Sequence, residues 1–488
     1  MPPVRRPSTT APVAVKPSPE HDSGAGWLGF YFIAQAFLAA LLFIPGASAI
    51  RTATRVAGYG LAPAIGAWLW FNGGTHAYQS AIARLPRGRL PVRFPALPWL
   101  TGTLAWLVVS IFHPNGYSLT TACGQVALYY SVLSPAYWAD KATASSTQIG
   151  RLMAVLLACG ALSALLGIAQ IYRPDTFNPP VIPALSNQYQ GENVMFKTDD
   201  GRKLLRPCGL TDTPGAASLA GTTSALLGLA WLVRPSALWK RLAGLAAAAA
   251  GLAVIYFSQA RFPLVMLAAS GVILFAIFII QERRAQAGLL AIVGSLLGVV
   301  ALVWVARNVG TGVVERFAPL FAKNATSFYA ESRGVFVEEA FNRIIWEYPL
   351  GYGLGWWGMI HSTFGDPARP SPIWAEVMWP AWIFDGGIPL MTLYAVAAAV
   401  AAWNSFKIAL RYKSRELGFW AAVITASDVG ILASCFSFTP FLAPLGLQFW
   451  LQSAALHAAS ERARAADSPP PTPNPPRGLR PQIPGKTP

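Results

Sequence analysis

Apolar stretches recur from end to end of this chain, separated by short polar or basic breaks. A helix needs roughly 20 apolar residues to cross the hydrocarbon core of a bilayer, and on that criterion the pattern predicts about twelve spanning helices. They fall near 27–46, 53–72, 96–113, 119–139, 150–171 and 214–233. The remaining six lie near 239–257, 262–280, 287–306, 380–403, 417–438 and 440–457. Arg51 and Arg55 crowd the start of the second, and Pro63 interrupts it. The expected fold is an all-α polytopic membrane protein. Two long outer connections stand apart, 172–213 and 307–379, the latter between the ninth and tenth spans and carrying short amphipathic helix patterns. Residues 27–458 thus read as one membrane domain with an outward-facing cap, without an internal repeat or a separate soluble domain.

The flanks follow a different pattern. Residues 1–26 are polar and residues 459–488 are rich in proline, so both are predicted to be disordered tails. The first apolar stretch lacks a small-residue cleavage site, which argues against a cleavable signal peptide.

Composition and charge sharpen this picture. Hydrophobic residues make up 54% of the 488 and charged residues only 12%, against about 25% charged in soluble domains. The net charge of +16 is not spread evenly. One set of connections holds Arg84, Arg87, Arg89 and Arg93, then Lys141 and Arg151, then Arg234, Lys240 and Arg241. The same side continues with Arg283 and Arg284, and with Lys407, Arg411, Lys413 and Arg415. The short loops opposite hold little beyond Arg51, Arg55 and Arg261. The positive-inside rule makes the basic side cytoplasmic, with both termini there. The charge is then a topology signal with an attraction to anionic membrane lipids, and no nucleic-acid partner is expected. Cys123, Cys159 and Cys435 lie in or near spans and Cys208 sits alone in an outer loop, so neither a disulfide nor a zinc spacing is predicted.

Chemistry concentrates in the outer connections. The run from Glu331 to Gly355 is an amphipathic helix pattern stopped by Pro349, followed by glycines at 351, 353 and 355. At about 100° per residue, Arg333 lies along the apolar stripe of Phe336, Val337, Ala340, Phe341, Ile344 and Tyr348. No carboxylate stands three or four residues from Arg333, whereas Arg343 has Glu339 and Glu347 one turn away on either side. A cation aimed along an apolar stripe needs an anion from elsewhere, and that anion could be a ligand. Gly351, Gly353 and Gly355 permit close approach of either a ligand or a neighbouring helix. They do not form a phosphate-cradling loop, since GK[ST] is missing. Trp356 and Trp357 suit interfacial anchoring, and His361 a surface or structural role.

Three further elements are candidates. Arg261, in Ser258-Gln-Ala-Arg261-Phe-Pro263, joins two spans on the side that opposes the charge rule, and its turn has no acid to neutralise it. Arg206 precedes Pro207-Cys-Gly-Leu-Thr-Asp-Thr-Pro214, either an irregular entry into a span or an anion site using free amides at the helix start. Glu376, in Ile373-Trp-Ala-Glu-Val-Met-Trp379, sits among apolar residues, where burial would make a carboxylate a proton acceptor near neutrality. Its alternative is a structural ion pair with a loop arginine. Asp385 and Asp428 lie deeper; intramembrane carboxylates are functional candidates, or they pair with Arg261 or bond exposed backbone near Gly386 and Gly387. No Asp-x-Asp run or His/Asp cluster calls for a metal, and no cofactor is implied.

In order and spacing, several of these elements resemble the O-antigen ligase and O-antigen polymerase superfamily of bacterial membrane glycosyltransferases. The resemblance rests on Ser258-Gln-Ala-Arg261, Ser332-Arg333, Pro349-Leu-Gly351-Tyr-Gly353-Leu-Gly355 and Gly387-Ile-Pro389, with Arg206-Pro-Cys-Gly209 before a middle span. It covers roughly residues 200–395. It implies an enzyme of the inner membrane acting on its periplasmic face, with an undecaprenyl-diphosphate-linked glycan as donor and an acceptor glycan as the second substrate. Arg261 and Arg333 would bind the diphosphate, a match guanidinium groups suit. Chain-length regulators or export proteins are further partners to test. Ligases of the family carry a histidine before the tenth span; counting back eleven positions from Gly387 reaches Glu376, and Pro389-Leu390 stands where a second glycine is expected. That departure favours a polysaccharide polymerase over a ligase acting on lipid A–core or another acceptor. A flippase or exporter of lipid-linked glycans is the alternative from another class; it would place charges along a pathway and often show repeat symmetry.

Overall fold

A computed structural model describes residues 23–44, 50–72, 93–142, 145–179, 194–199, 201–320, 327, 329–366, 368–369 and 375–467. It is 79% helical with almost no sheet, an all-α membrane protein in outline. Each of the twelve predicted segments falls on a helix. The first half comprises α1 (Ser23–Leu38), α2 (Arg51–Phe71), α3 (Leu97–Ser110), α4 (Leu119–Leu133), α5 (Pro135–Ala142), α6 (Ser146–Tyr172) and α7 (Ala217–Val233). The second comprises α8 (Leu238–Ser258), α9 (Arg261–Ile280), α10 (Arg284–Val309), α11 (Met378–Arg411), α12 (Glu416–Ser434) and α13 (Pro444–Asp467). Among the described residues, six helices are long and apolar enough to cross a membrane: α6 and α8 to α12. The residues around α1 (Gly29–Phe43), α3 and α7 form shorter apolar helices.

Three details add to or correct these expectations. Within the first long connection Met195–Lys197 and Lys203–Leu205 pair as an antiparallel hairpin, β1 and β2. Asp199 at its tip accepts the Thr311 amide at 3.0 Å, tying the first outer connection to the second. The chain after 458 continues α13 as far as Asp467, held where Arg462 donates to the Asp140 carbonyl at 2.8 Å and Arg415 pairs with Asp467 at 2.7 Å. Third, the amphipathic run contains two π-helical segments, Ala330–Gly334 and Ala340–Ile344, within an otherwise α-helical stretch. Each widens a turn, so the stripe drifts from a strict 3.6-residue period. Ala340, Ile344 and Ile345 are its buried members. The remainder of the predicted tails, and Arg84, Arg87 and Arg89, lie outside the described residues.

Small residues set the closest crossing, between α7 and α8. A Cβ on Gly221 or Gly251 would collide with the other helix's backbone, and the same holds for Gly228 and Gly244. Ser224 lies between these contacts and donates to the Ala247 carbonyl at 2.8 Å. Within a bilayer, close backbone approach and interhelical hydrogen bonds replace the hydrophobic effect as the attraction between helices.

A second junction positions the outer cap. Gly386 and Gly387 break the helical backbone of α11. The Pro349–Gly355 loop enters that break: the Tyr352 amide donates to the Phe384 carbonyl and the Ile388 amide to the Pro349 carbonyl, both at 2.8 Å. Trp106 caps the break from α3, donating to the Gly386 carbonyl at 2.6 Å. Gly351 and Gly353 have φ of 95° and 119°, and a Cβ at either would lie 2.9 Å from backbone of Gly386 or Gly116. These glycines therefore meet neighbouring protein backbone. Gly353→Ala should destabilise the protein by about 1–3 kcal/mol, read as a lower melting temperature of the purified protein. Gly312→Ala, which meets nothing within 4 Å, is the matched control and should be neutral.

Candidate functional site

Basic residues gather at one end of the helices, as the charge pattern predicts. There Arg283 donates to the Lys413 carbonyl at 2.9 Å, Lys413 pairs with Glu282 at 2.9 Å and Arg234 pairs with Glu416 at 2.5 Å. At the opposite end, the candidate residues fall into two groups flanking the turn after α12.

In the first group, Arg333 is ion-paired with Glu376. The expected remote anion of Arg333 is thus a second candidate residue, 43 positions away. Arg343 pairs with Glu339 and, at 3.7 Å, with Glu347, as its spacing predicts. Tyr329, one turn before Arg333, donates to the Phe436 carbonyl at 2.9 Å, and Phe341 and Phe436 both lie against Trp379.

The second group centres on Arg261, whose Nε donates to the Arg316 carbonyl at 2.7 Å. The next residue, Phe262, stacks on Phe438 at 5.1 Å. The turn at Phe436–Phe438 therefore touches both groups. Arg206 lies within electrostatic reach of Arg316; burial first, and Arg316 next, push its guanidinium down to about 10, still a cation at neutral pH. Among the described residues, the Arg206 Nε is buried without a hydrogen-bond partner. Arg316 was not singled out from the sequence. Its signal is an arginine on the outer side in Gly312–Phe317, a short helix anchored by buried Val313 and Phe317.

Asp212 explains the crowded start of α2: it receives Arg51 at 2.5 Å and Arg55 at 2.9 Å. Burial pushes its carboxyl up, but Arg55 and Arg51 outweigh this and hold it below the usual carboxylate range. Neighbouring Cys208 is a free thiol pushed up to about 12 by burial and then by Asp212, which leaves it unreactive at neutral pH.

The remaining candidates sit apart from the arginines. Asp385 is fully buried and accepts from Gln125 at 3.0 Å, Tyr129 at 2.8 Å and Trp357 at 2.8 Å. It joins α4, α11 and the outer cap through three side-chain donors, in place of the expected Arg261 pair or the backbone near Gly386 and Gly387. Asp428 likewise accepts from Gln452, Ser453 and Ser405 at 2.8–3.0 Å, joining α11, α12 and α13. Gly351 and Gly353 are filled by protein backbone, and a Cβ on Gly355 would strike Thr121. Trp357, expected as an interfacial anchor, is buried on Asp385. His361 stacks edge-on against Tyr117 at 5.0 Å, in keeping with a structural role. Among the described residues, no three His, Cys, Asp or Glu side chains gather as a metal site would require.

No family model matches the chain, and no curated protein matches it.

The Asp212 pairing makes a pH-dependent prediction. A carboxylate held below its unfolded value of about 3.9 contributes stability that is present above about pH 4 and lost as pH falls through the folded value. Asp212→Asn should lower the melting temperature at pH 7, and the gap to wild type should close on acidification below about pH 4. A gap that stays constant over that range would show that Asp212 acts other than through its charge.

Proposed function

We propose that the protein is a membrane glycosyltransferase of the polymerase type, which draws on a lipid-diphosphate-linked glycan at the end of the bundle opposite the basic face. The observation that carries this reading is the arginine group around Arg206, Arg261 and Arg316 at the mouth of the helices. It places several guanidinium charges close together, and one of them has a buried Nε with no partner among the described residues. Holding Arg206 near a second cation disfavours its charge, and a diphosphate supplies two phosphates for planar, multidentate hydrogen bonding.

The Arg333–Glu376 pair supplies the second half of the chemistry. Both side chains are only half-buried, and an ion pair at that exposure contributes little stability. An arriving diphosphate exchanges places with Glu376 on Arg333. The released carboxylate then accepts the proton of an acceptor sugar hydroxyl while the hydroxyl oxygen forms a bond to the anomeric carbon of the donor. The bond from that carbon to the diphosphate oxygen breaks, and the lipid diphosphate leaves with its charge held by the arginines. Stabilising that departing charge is the main electrostatic demand of the transfer. In a single displacement the anomeric configuration inverts. Undecaprenyl is the lipid that the family resemblance implies, and the periplasmic face of a bacterial inner membrane is the location that follows from it.

Glycan length in a deletion strain, complemented at matched membrane levels, tests the proposal. Glu376→Gln should lower transfer by about 10²-fold or more, and Arg206→Ala or Arg333→Ala by about 10²–10³-fold. Arg343→Ala, whose guanidinium is engaged by its own helix, should match wild type. Single repeat units accumulating on carrier or acceptor mean a polymerase. Full-length polymer stranded on the lipid carrier moves the assignment to a ligase. Wild-type glycans in all three variants, despite a defect in the deletion strain, remove the site and favour an exporter.

A further inference from the structure

At the basic end, small residues repeat along two helices that face each other. Ala154, Ala158 and Ala161 on α6 oppose Ala243 and Ala247 on α8, and the missing side-chain volume leaves a groove of about 610 Å³. Ala158 and Ala243 are exposed, so the groove opens along the outside of the bundle. From Arg151 to Ala161 the helix rises about 15 Å, half of a hydrocarbon core roughly 30 Å thick. The groove therefore has the length of one leaflet's acyl layer. Gly150 keeps its inner end open, where a Cβ would stand 3.1 Å from Trp420 and 3.5 Å from Glu416.

The mouth is cationic. Arg234 is neutralised by Glu416 at 2.5 Å and lies over the rings of Trp231 and Trp420. Arg151 and Lys240, one from each helix, bring two basic side chains to the rim beside this pair, and among the described residues lining the groove Glu416 is the carboxylate. Trp239, 68% exposed at the same level, has the placement of a side chain at the headgroup layer. An apolar channel of leaflet length under a basic rim matches one class of molecule.

We infer that this groove binds an anionic glycerophospholipid of the leaflet at the basic end. One acyl chain lies along the α6–α8 alanines, and the phosphate sits between Arg151 and Lys240. Basic pockets between membrane helices recognise such headgroups. The inference does not depend on the enzymatic reading, since it uses the opposite end of the molecule.

The test is native mass spectrometry of the full-length protein, titrated with phosphatidylglycerol and with phosphatidylcholine of the same chains. Phosphatidylglycerol should be retained in preference to phosphatidylcholine. The double variant Arg151→Gln/Lys240→Gln should lose about tenfold or more of that affinity. Ala158→Phe, which keeps every charge and fills the channel, should lose it as well. Lys407→Gln/Arg411→Gln, which removes two charges at the same end but outside the groove, should behave as wild type. Equal losses in both double variants would reduce the effect to diffuse surface charge and overturn the site. Undiminished binding in Ala158→Phe, or equally strong competition by inorganic phosphate, would remove the acyl-chain half and overturn it too. Melting curves of each variant separate lost binding from lost fold, and a poorly folded Ala158→Phe is replaced by Ala243→Phe, which fills the same channel from the other helix.

Discussion

The junction between the Pro349–Gly355 loop and the break in α11 is the constraint on which the outer half of the molecule depends. A helix that loses its regular hydrogen bonding inside a membrane must have its freed backbone groups satisfied by other protein groups. Here the loop does so: Phe384 and Pro349 carbonyls receive amides across the junction, and Trp106 donates to the Gly386 carbonyl. The reciprocal close approach leaves no room for a Cβ on Gly351 or Gly387. Trp357 follows directly and reaches Asp385, which also holds Gln125 and Tyr129 of α4. The cap is thereby fixed to α3, α4 and α11 at once. That fixes the end of the amphipathic helix carrying Arg333, and the chain leading into α11 carries Glu376. Their pairing is a consequence of the junction as much as of their charges.

Charge is arranged differently at the two ends. At the basic end the cations are mostly engaged by backbone carbonyls and by Glu282, Glu416 and Asp467, which ties the helix termini together. At the opposite end Asp212 is committed to Arg51 and Arg55, and Glu339 and Glu347 to Arg343. These acids are thus each committed to an arginine. Arg206 is held near Arg316 with its Nε buried and unpartnered, and the same Arg316 accepts from Arg261 through its carbonyl. A protein selected only for stability would place a carboxylate there, because a buried, unsatisfied donor costs about 1–3 kcal/mol.

The periodic features of this molecule were legible in its sequence, and the single-residue contacts were not. Apolar run length located every long helix because a bilayer imposes one length and one composition on all of them. The i,i+4 rule anticipated the partners of Arg343, and their absence around Arg333 correctly implied a distant anion. It could not say which one, since a partner 43 positions away is set by how the cap folds onto α11. Two π-helical segments also shift the stripe, a departure that residue spacing does not encode. The glycines were recognisable as sites of close approach, but whether backbone or ligand fills the space depends on where Gly386 and Gly116 end up. The partners of Asp385 were not legible either, since its three donors come from α4 and the outer cap. Arg316 was not singled out at all, because only the fold brings it within electrostatic reach of Arg206 and Arg261.

On the proposed reading, the Arg333–Glu376 pair bears on how such a site would avoid idle reaction. A base held by its own cationic partner is unavailable until something with more negative charge takes that partner. A diphosphate carries more charge than one carboxylate, and it would arrive where Arg261 and Arg206 add to its attraction. The exchange needs only a weak resting pair, and half-burial of both side chains makes it weak. Binding of the donor would thus produce the free base, and water or an acceptor sugar alone would find Glu376 still engaged. Because the pair bridges the helix before the Pro349–Gly355 junction and the start of α11, its opening would also loosen the cap where a second glycan has to enter.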